Sequence, residues 1–270
     1  MAFSSNRRRW PVQAVEQKVN RLSRNLKDLH LPTVRACYQD EAIRARQENW
    51  DYETYLLELV ERECEERRHN RIARLLRESK LPLEKSLATL DRKRLPRQAD
   101  AHLNVLLEGS FLDRAENVLA FGNPGSGKTH LLCALGQELI HRGRKIHFIP
   151  CNLLVQELLI AKRDLKLARV LKKYARYEAL IIDDIGYVQQ SREEMEVLFT
   201  LLADRYERSS IMISSNLAFS QWEQIFKDPM TTAAAIDRLV HHSVILELNL
   251  PSYRLEQSKK HKEKLPTNEI

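Results

Sequence analysis

Residues 122–129 read Gly-Asn-Pro-Gly-Ser-Gly-Lys-Thr, the G-x-x-x-x-G-K-[ST] spacing of a phosphate-binding loop. The pattern constrains the fold because it works only between a strand that delivers the loop and a helix whose N-terminus receives the anion. Both flanks are present. Residues 117–121 (NVLAF) form a short apolar run of strand type, and residues 130–141 (HLLCALGQELIH) repeat apolar side chains at Leu131, Leu132, Leu135, Leu139 and Ile140 with helical spacing. The loop itself, Gly122, Asn123, Pro124, Gly125, Ser126 and Gly127, is expected to curl around a triphosphate. Gly125 and Gly127 supply backbone conformations that a Cβ would forbid. Lys128 is expected to reach the β- and γ-phosphates, and the Thr129 hydroxyl to sit on Mg²⁺.

A chain of 270 residues accommodates one α/β domain and a smaller appendage. No apolar run approaches the roughly 18 residues of a membrane span. No apolar stretch follows Arg7, Arg8 and Arg9, so neither a membrane partner nor a signal peptide is expected. Cys37, Cys64, Cys133 and Cys151 show no metal-site spacing and read as thiols of a reducing cytoplasm. Charge is unevenly placed: residues 1–98 hold 22 Lys and Arg against 15 Asp and Glu, and the remainder holds 22 of each sign. A basic module on a neutral nucleotide domain points to a polyanionic partner, with nucleic acid first among candidates.

Residues 1–98 contain no glycine and read as wholly helical. Val12, Val15, Val19, Leu22, Leu26 and Leu29 make one apolar seam, ended by Leu31-Pro32. A second helix is expected from about Thr33 to Arg46, with Val34, Tyr38, Ala42 and Ala45 inward. A third starts near Asp51 and buries Tyr52, Tyr55, Leu56, Leu59 and Val60. The expected division is a helical DNA- or partner-binding domain over 1–80, a basic linker over 81–98, a nucleotide domain over 99–254 and a polar tail over 255–270. Within the nucleotide domain, strand-type runs at 118–121, 146–150, 180–183, 211–214 and 244–248 alternate with helices. That alternation predicts a five-stranded parallel, doubly wound sheet.

The third strand ends in Asp183-Asp184, carboxylates at the sheet edge where a nucleotide's Mg²⁺ is held. Asp183 is expected to support the metal and Asp184 to orient and polarise the attacking water. The fourth strand ends in Asn216, suited to position that water. Arg238 is a lone arginine on the helix over 231–242. It could act on the γ-phosphate bound by a neighbouring chain in a head-to-tail assembly. His241 and His242 follow; on a helix, adjacent residues diverge by about 100°, which argues against a shared metal. Lys162, Lys166, Arg169, Lys173 and Arg176 step by helical intervals and are expected to form a basic stripe along one helix face, touching DNA phosphates. Leu165, Ala168 and Leu171 would anchor the adjoining face.

These residues resemble the AAA+ ATPases of the helicase-loader and initiator branch, and within it the IstB-like helper ATPases of bacterial insertion sequences. The resemblance rests on GNPGSGKTHL at 122–131, LIIDDIGY at 180–187, LFTLLADRYERSSIMISSN at 198–216, AIDRLVHHS at 235–243, and Ser252-Tyr253-Arg254. It implies a protein that binds ATP with Mg²⁺, binds duplex DNA with little sequence preference, assembles into head-to-tail oligomers and engages a transposase. Hydrolysis would reset the assembly. It also implies Lys128 and Thr129 as Walker A, Asp183 and Asp184 as Walker B, Asn216 as sensor 1 and Arg238 as the arginine finger. The basic stripe falls where this branch carries an extra initiator helix. With 16 residues after Arg254, no C-terminal helical lid is expected. A replicative helicase loader of the DnaC type, and a nucleotide-gated scaffold that scarcely hydrolyses, are the competing readings.

Overall fold

In the computed structural model, residues 12–185, 191–217, 221, 229–253 and 256 are described. Arg254, Tyr187 and nearly all of the expected polar tail lie outside them. The chain divides into two compact units, Met1–Arg71 and Ile72–Ile270, the division falling within the third helix.

The first unit holds α1 (Val12–Asp28), α2 (Pro32–Gln47) and most of α3 (Tyr52–Ser79). Its small core is Leu26, Val34 and Leu59, with Leu31, Cys37, Tyr38 and Tyr55 packed around it. The expectation that α3 buries one broad apolar face is corrected. Tyr52 (90% exposed), Leu56 (61%) and Val60 (47%) all face solvent. Tyr55, Leu59 and Glu63 recur every four residues on the inward face, and Leu56 and Val60 are each turned about 100° from it. The α1 seam is likewise open at Leu22 and Leu29, with Leu26 the residue it buries among those described. Glu63 is 3% exposed because it caps α2 from a distance. Its carboxylate accepts the backbone N–H of Thr33 and Val34 at 2.9 and 3.2 Å, in the place of a local cap that Leu31 cannot supply.

The second unit is built on β1 (Asn117–Phe121), β2 (Ile146–Pro150), β3 (Ala179–Ile185), β4 (Ser210–Ser215) and β5 (Ser243–Glu247). They form one parallel sheet in the order β2-β3-β4-β1-β5, as the alternating sequence pattern predicts. The two-residue alternation of strands decides which face each side chain enters. Val118, Ala120, Ala179, Ile181 and Met212 meet α4 (Arg97–Leu107), α5 (Ser110–Asp113) and α6 (Lys128–His141) on one side. Leu119, Phe121, Leu180, Ile182, Ile211 and Ile213 meet α7 (Cys151–Arg163), α9 (Arg192–Arg205) and α10 (Pro229–Val240) on the other. Burial on both faces explains why these strands read as continuous apolar runs.

Residues 81–95 are more than a connection. They contain two 3-10 turns, Leu87–Thr89 and Arg92–Arg94, with Leu81, Leu87, Leu90 and Leu95 packed on the α4–α6 side of the core. The Gln137 side-chain amide donates to the carbonyls of Pro82 and Lys85 at 3.2 and 3.0 Å, tying this segment along α6. The four cysteines of the chain are free, and burial raises the Cys133 thiol to about 12. No helix among the described residues is long and apolar enough to cross a membrane.

Candidate nucleotide site

The loop after β1 turns into α6 through Gly125 at φ +79° and Gly127 at φ +99°, both in the left-handed region that a side chain disfavours. A side chain at Gly125 would also crowd Ser252. A Cβ there would lie 2.2 Å from the Ser252 hydroxyl oxygen, because the chain after β5 crosses directly over the loop. That crossing is held by the Tyr253 N–H, which donates to the Gly125 carbonyl at 3.0 Å. The N–H groups of the first turn of α6 open at the mouth of the loop, where the helix dipole favours an anion.

Lys128 is 5% exposed, and its ammonium donates to the Gly122 and Asn123 carbonyls and to the Asn216 side-chain oxygen at 2.8, 2.9 and 2.6 Å. Asn216 in turn donates from Nδ2 to the Asp184 carboxylate at 2.9 Å. The Thr129 hydroxyl donates to Asp183 Oδ1 at 2.7 Å, and the Ser214 hydroxyl donates to the same oxygen at 2.6 Å. Ser214 also accepts the backbone N–H of Asp184 at 2.8 Å. Asp184 sits at φ +64°, where the β3–β4 register shifts between Ile182 and Ile185. The bulge lets two consecutive acids, which would alternate across a regular strand, both be engaged from this edge. β4 lies between β1 and β3, so the sheet order itself brings Lys128, Thr129, Asp183, Asp184 and Asn216 together.

Lys128, Thr129, Asp184, Ser214 and Asn216 line a cavity of about 320 Å³, and Asp183 is joined to it through the Thr129 and Ser214 hydroxyls. One wall carries Leu90, Leu95, Leu250 and Tyr253, and Lys85 and Arg94 bring positive charge to it. The Arg94 guanidinium binds the Pro251 carbonyl at 3.2 Å and the Glu256 carboxylate at 2.9 Å, and lies 5.1 Å from the centre of the Tyr253 ring. His130 Nε2 lies 3.0 Å from the Thr89 hydroxyl and 3.1 Å from the Ser86 carbonyl, joining the phosphate loop to that wall. Sequence reasoning missed this wall because its contacts are long-range and polar. The one local signal is the Ser86/Thr89 cap ahead of spaced leucines. An apolar wall beside a backbone cradle with a buried lysine fits a nucleoside triphosphate. The Thr129 hydroxyl and Asp183 carboxylate are the hard oxygen donors that Mg²⁺ takes.

Arg238 does not line this cavity. Its guanidinium lies 4.8 Å from the centre of the Phe199 ring on α9, and its buried Nη1 has no hydrogen-bond partner among the described residues. The basic stripe is not one helix face. α7 ends at Arg163, Leu165 takes φ +57° and is 95% exposed, and α8 runs from Leu167 to Tyr174. Leu165 therefore anchors nothing, whereas Leu171 does pack on the core. Lys162, Lys166 and Lys173 are paired to Glu196, Asp164 and Glu157 at 2.9, 3.2 and 2.7 Å. Arg169 and Arg176 have no ion pair among the described residues.

The sequence profile of the family described as IstB-like ATP binding protein matches residues 24–261. A Sinorhizobium fredii protein named as an insertion sequence ATP-binding protein is 41% identical over 87% of this chain and 79% of its own. A Geobacillus stearothermophilus protein, named as an ATP-binding protein of insertion sequence IS5376, is 38% identical over 87% of this chain and 94% of its own. Among solved structures, a DNA replication initiation factor aligns at TM-score 0.55 and 18% identity, over 70% of this chain and 58% of that one. DnaI aligns at TM-score 0.51 and 22% identity, over 64% and 94%. At these identities the structural likeness speaks for the AAA+ fold.

Proposed function

The chain belongs to the family of IstB-like ATP-binding proteins, and from that premise we propose that it is the ATP-hydrolysing helper of an insertion-sequence transposase. It assembles on duplex DNA in the ATP state and is reset by hydrolysis. The observation that carries this reading is the convergence of Lys128, Thr129, Asp184 and Asn216 on one cavity, with Asp183 hydrogen-bonded to Thr129. The insertion-sequence names of the relatives favour transposition over helicase loading.

Lys128 exchanges its loop carbonyls and Asn216 for phosphate oxygens, so its charge turns to the ligand. Thr129 and Asp183 hold Mg²⁺, which when bound neutralises charge on the β- and γ-phosphates. Asp184 polarises water and Asn216, already bonded to it, orients that water. Ser214 fixes both acids by bonding one carboxylate and the other's backbone. Arg238, outside this chain's own cavity, acts on the nucleotide of a neighbouring subunit.

Sedimentation of the chain with duplex DNA tests the proposal. ATP is expected to drive a large complex that ADP does not, and Lys128→Ala to abolish it. Equal assembly with ADP, or an unchanged ATP affinity in Lys128→Ala, would overturn it.

A further inference from the structure

Because α10 ends at Val240, His241 and His242 lie in a turn, and the 100° divergence of helical neighbours does not apply. Their ring centroids are 4.1 Å apart, edge to face. Glu207, in the loop after α9 at φ +56°, brings its carboxylate 4.0 Å from His242 Nε2. One ligand atom from each of Glu207, His241 and His242 lies within 4.8 Å of the others. We propose that these three residues form a binding site for a divalent transition metal of the Zn²⁺ type, separate from the nucleotide site.

Two imidazole nitrogens and one carboxylate oxygen are a donor set that Zn²⁺ takes while keeping a fourth position open. Ni²⁺ and Cu²⁺ compete for such ligands, whereas Mg²⁺ and Ca²⁺ prefer oxygen throughout. Tetrahedral bonds of about 2.0–2.2 Å set neighbouring donors about 3.4 Å apart. All three side chains are exposed, so closing the present gaps needs rotamer adjustment and no repacking of the core.

The backbone on either side is already fixed. The Asn117 N–H donates to the His242 carbonyl at 2.7 Å, and the His241 N–H donates to the Asp237 carbonyl at 2.9 Å. The Tyr206 hydroxyl lies 3.3 Å from His241 Nδ1, placed to orient that ring. The surrounding field also suits a cation. The C-terminal end of α10 points its partial negative charge here, and Asp237 and Glu116 stand nearby. Of the facing arginines, Arg114 is paired to Glu116 at 2.7 Å and Arg208 to Asp204 at 3.7 Å, while Arg238 is turned onto Phe199. A bound metal would staple the end of α9 to the end of α10, the helix that carries Arg238 to the helix on which its guanidinium lies.

Equilibrium dialysis of the full chain against ZnCl₂, without nucleotide, tests the site. A Cys37→Ser/Cys64→Ser background removes the accessible thiols that would bind Zn²⁺ by themselves. One Zn²⁺ per chain is expected, with affinity falling by about 100-fold or more in His241→Asn/His242→Asn and by about 10-fold or more in Glu207→Gln. Zn²⁺ should raise the Tm of the background protein and leave that of the double-histidine variant unmoved. Co²⁺ should give visible d–d bands without a thiolate charge-transfer band. Stoichiometric binding that survives His241→Asn/His242→Asn, or no stoichiometric binding in the background protein, would overturn the proposal.

Discussion

Arg205 is 1% exposed, and its guanidinium is directed entirely at the backbone. It donates to the carbonyls of Tyr174 and Ser210 at 2.9 Å each and of Tyr177 at 3.0 Å, tying the end of α8 and the start of β4 to the approach to β3. Burial pushes it down to about 10, which leaves it a cation at neutral pH. Arg205→Leu would leave buried carbonyls without donors, at about 1–3 kcal/mol for each such group. A loss of about 3 kcal/mol or more is expected, read as a lower denaturant midpoint with the slope unchanged. Asp184 shows the opposite case. A left-handed conformation costs an aspartate roughly 1–2 kcal/mol, and the bonds to Ser214 and Asn216 hold it there. Strain placed on the residue proposed to polarise water is what a functional position shows.

Glu63 decides the fate of α2. Burial pushes its carboxyl up, but hydrogen bonds from Arg67 and from the N–H groups of Val34 and Thr33 outweigh it and hold the group below the usual carboxylate range. A depressed pKa contributes stability above the unfolded value of about 4.3, and that contribution is lost as pH falls through the folded one. The first unit is therefore expected to melt earlier as pH drops below about 4, and Glu63→Gln to flatten that dependence, as circular dichroism melts across pH would read. The basic segment makes a second test. Three of its five cations are already neutralised. Arg169→Ala/Arg176→Ala should therefore reduce the salt slope of duplex binding by about 0.9 for each phosphate no longer neutralised, and Lys166→Ala by less. An unchanged slope in the double variant would make the segment a solvated surface. The sheet, the phosphate loop, Asp183 and Asn216 were legible in the sequence because strand alternation and loop spacing are local. The break at Leu165, the outward turn of Leu56 and Val60, and the wall formed by residues 85–95 were not, since each is decided by partners distant in sequence. Helical steps at Lys162, Lys166 and Arg169 persist across a break that only a φ of +57° at Leu165 reveals.

At the scale of the whole molecule, each of the two units has its own core, and the residues proposed for chemistry belong to the second. Within it, a parallel sheet sets a lysine, two hydroxyls, an acid and an amide around one opening, with a second acid bonded to both hydroxyls. Arg238 sits elsewhere, with a buried nitrogen unpartnered among the described residues. In the proposed reading this arrangement holds the nucleotide, and Arg238 of a neighbouring subunit completes the site for hydrolysis. Single-turnover ATP hydrolysis with and without saturating duplex DNA tests this most directly, run on the wild type, on Asp184→Asn and on a mixture of Lys128→Ala with Arg238→Ala. The account predicts DNA-stimulated hydrolysis in the wild type and unchanged ATP binding with a rate at least about 100-fold lower in Asp184→Asn. It also predicts partial recovery when the two inactive variants are mixed. Wild-type hydrolysis by Asp184→Asn, indifference of the wild type to DNA, or no recovery in mixtures shown to co-assemble would contradict it.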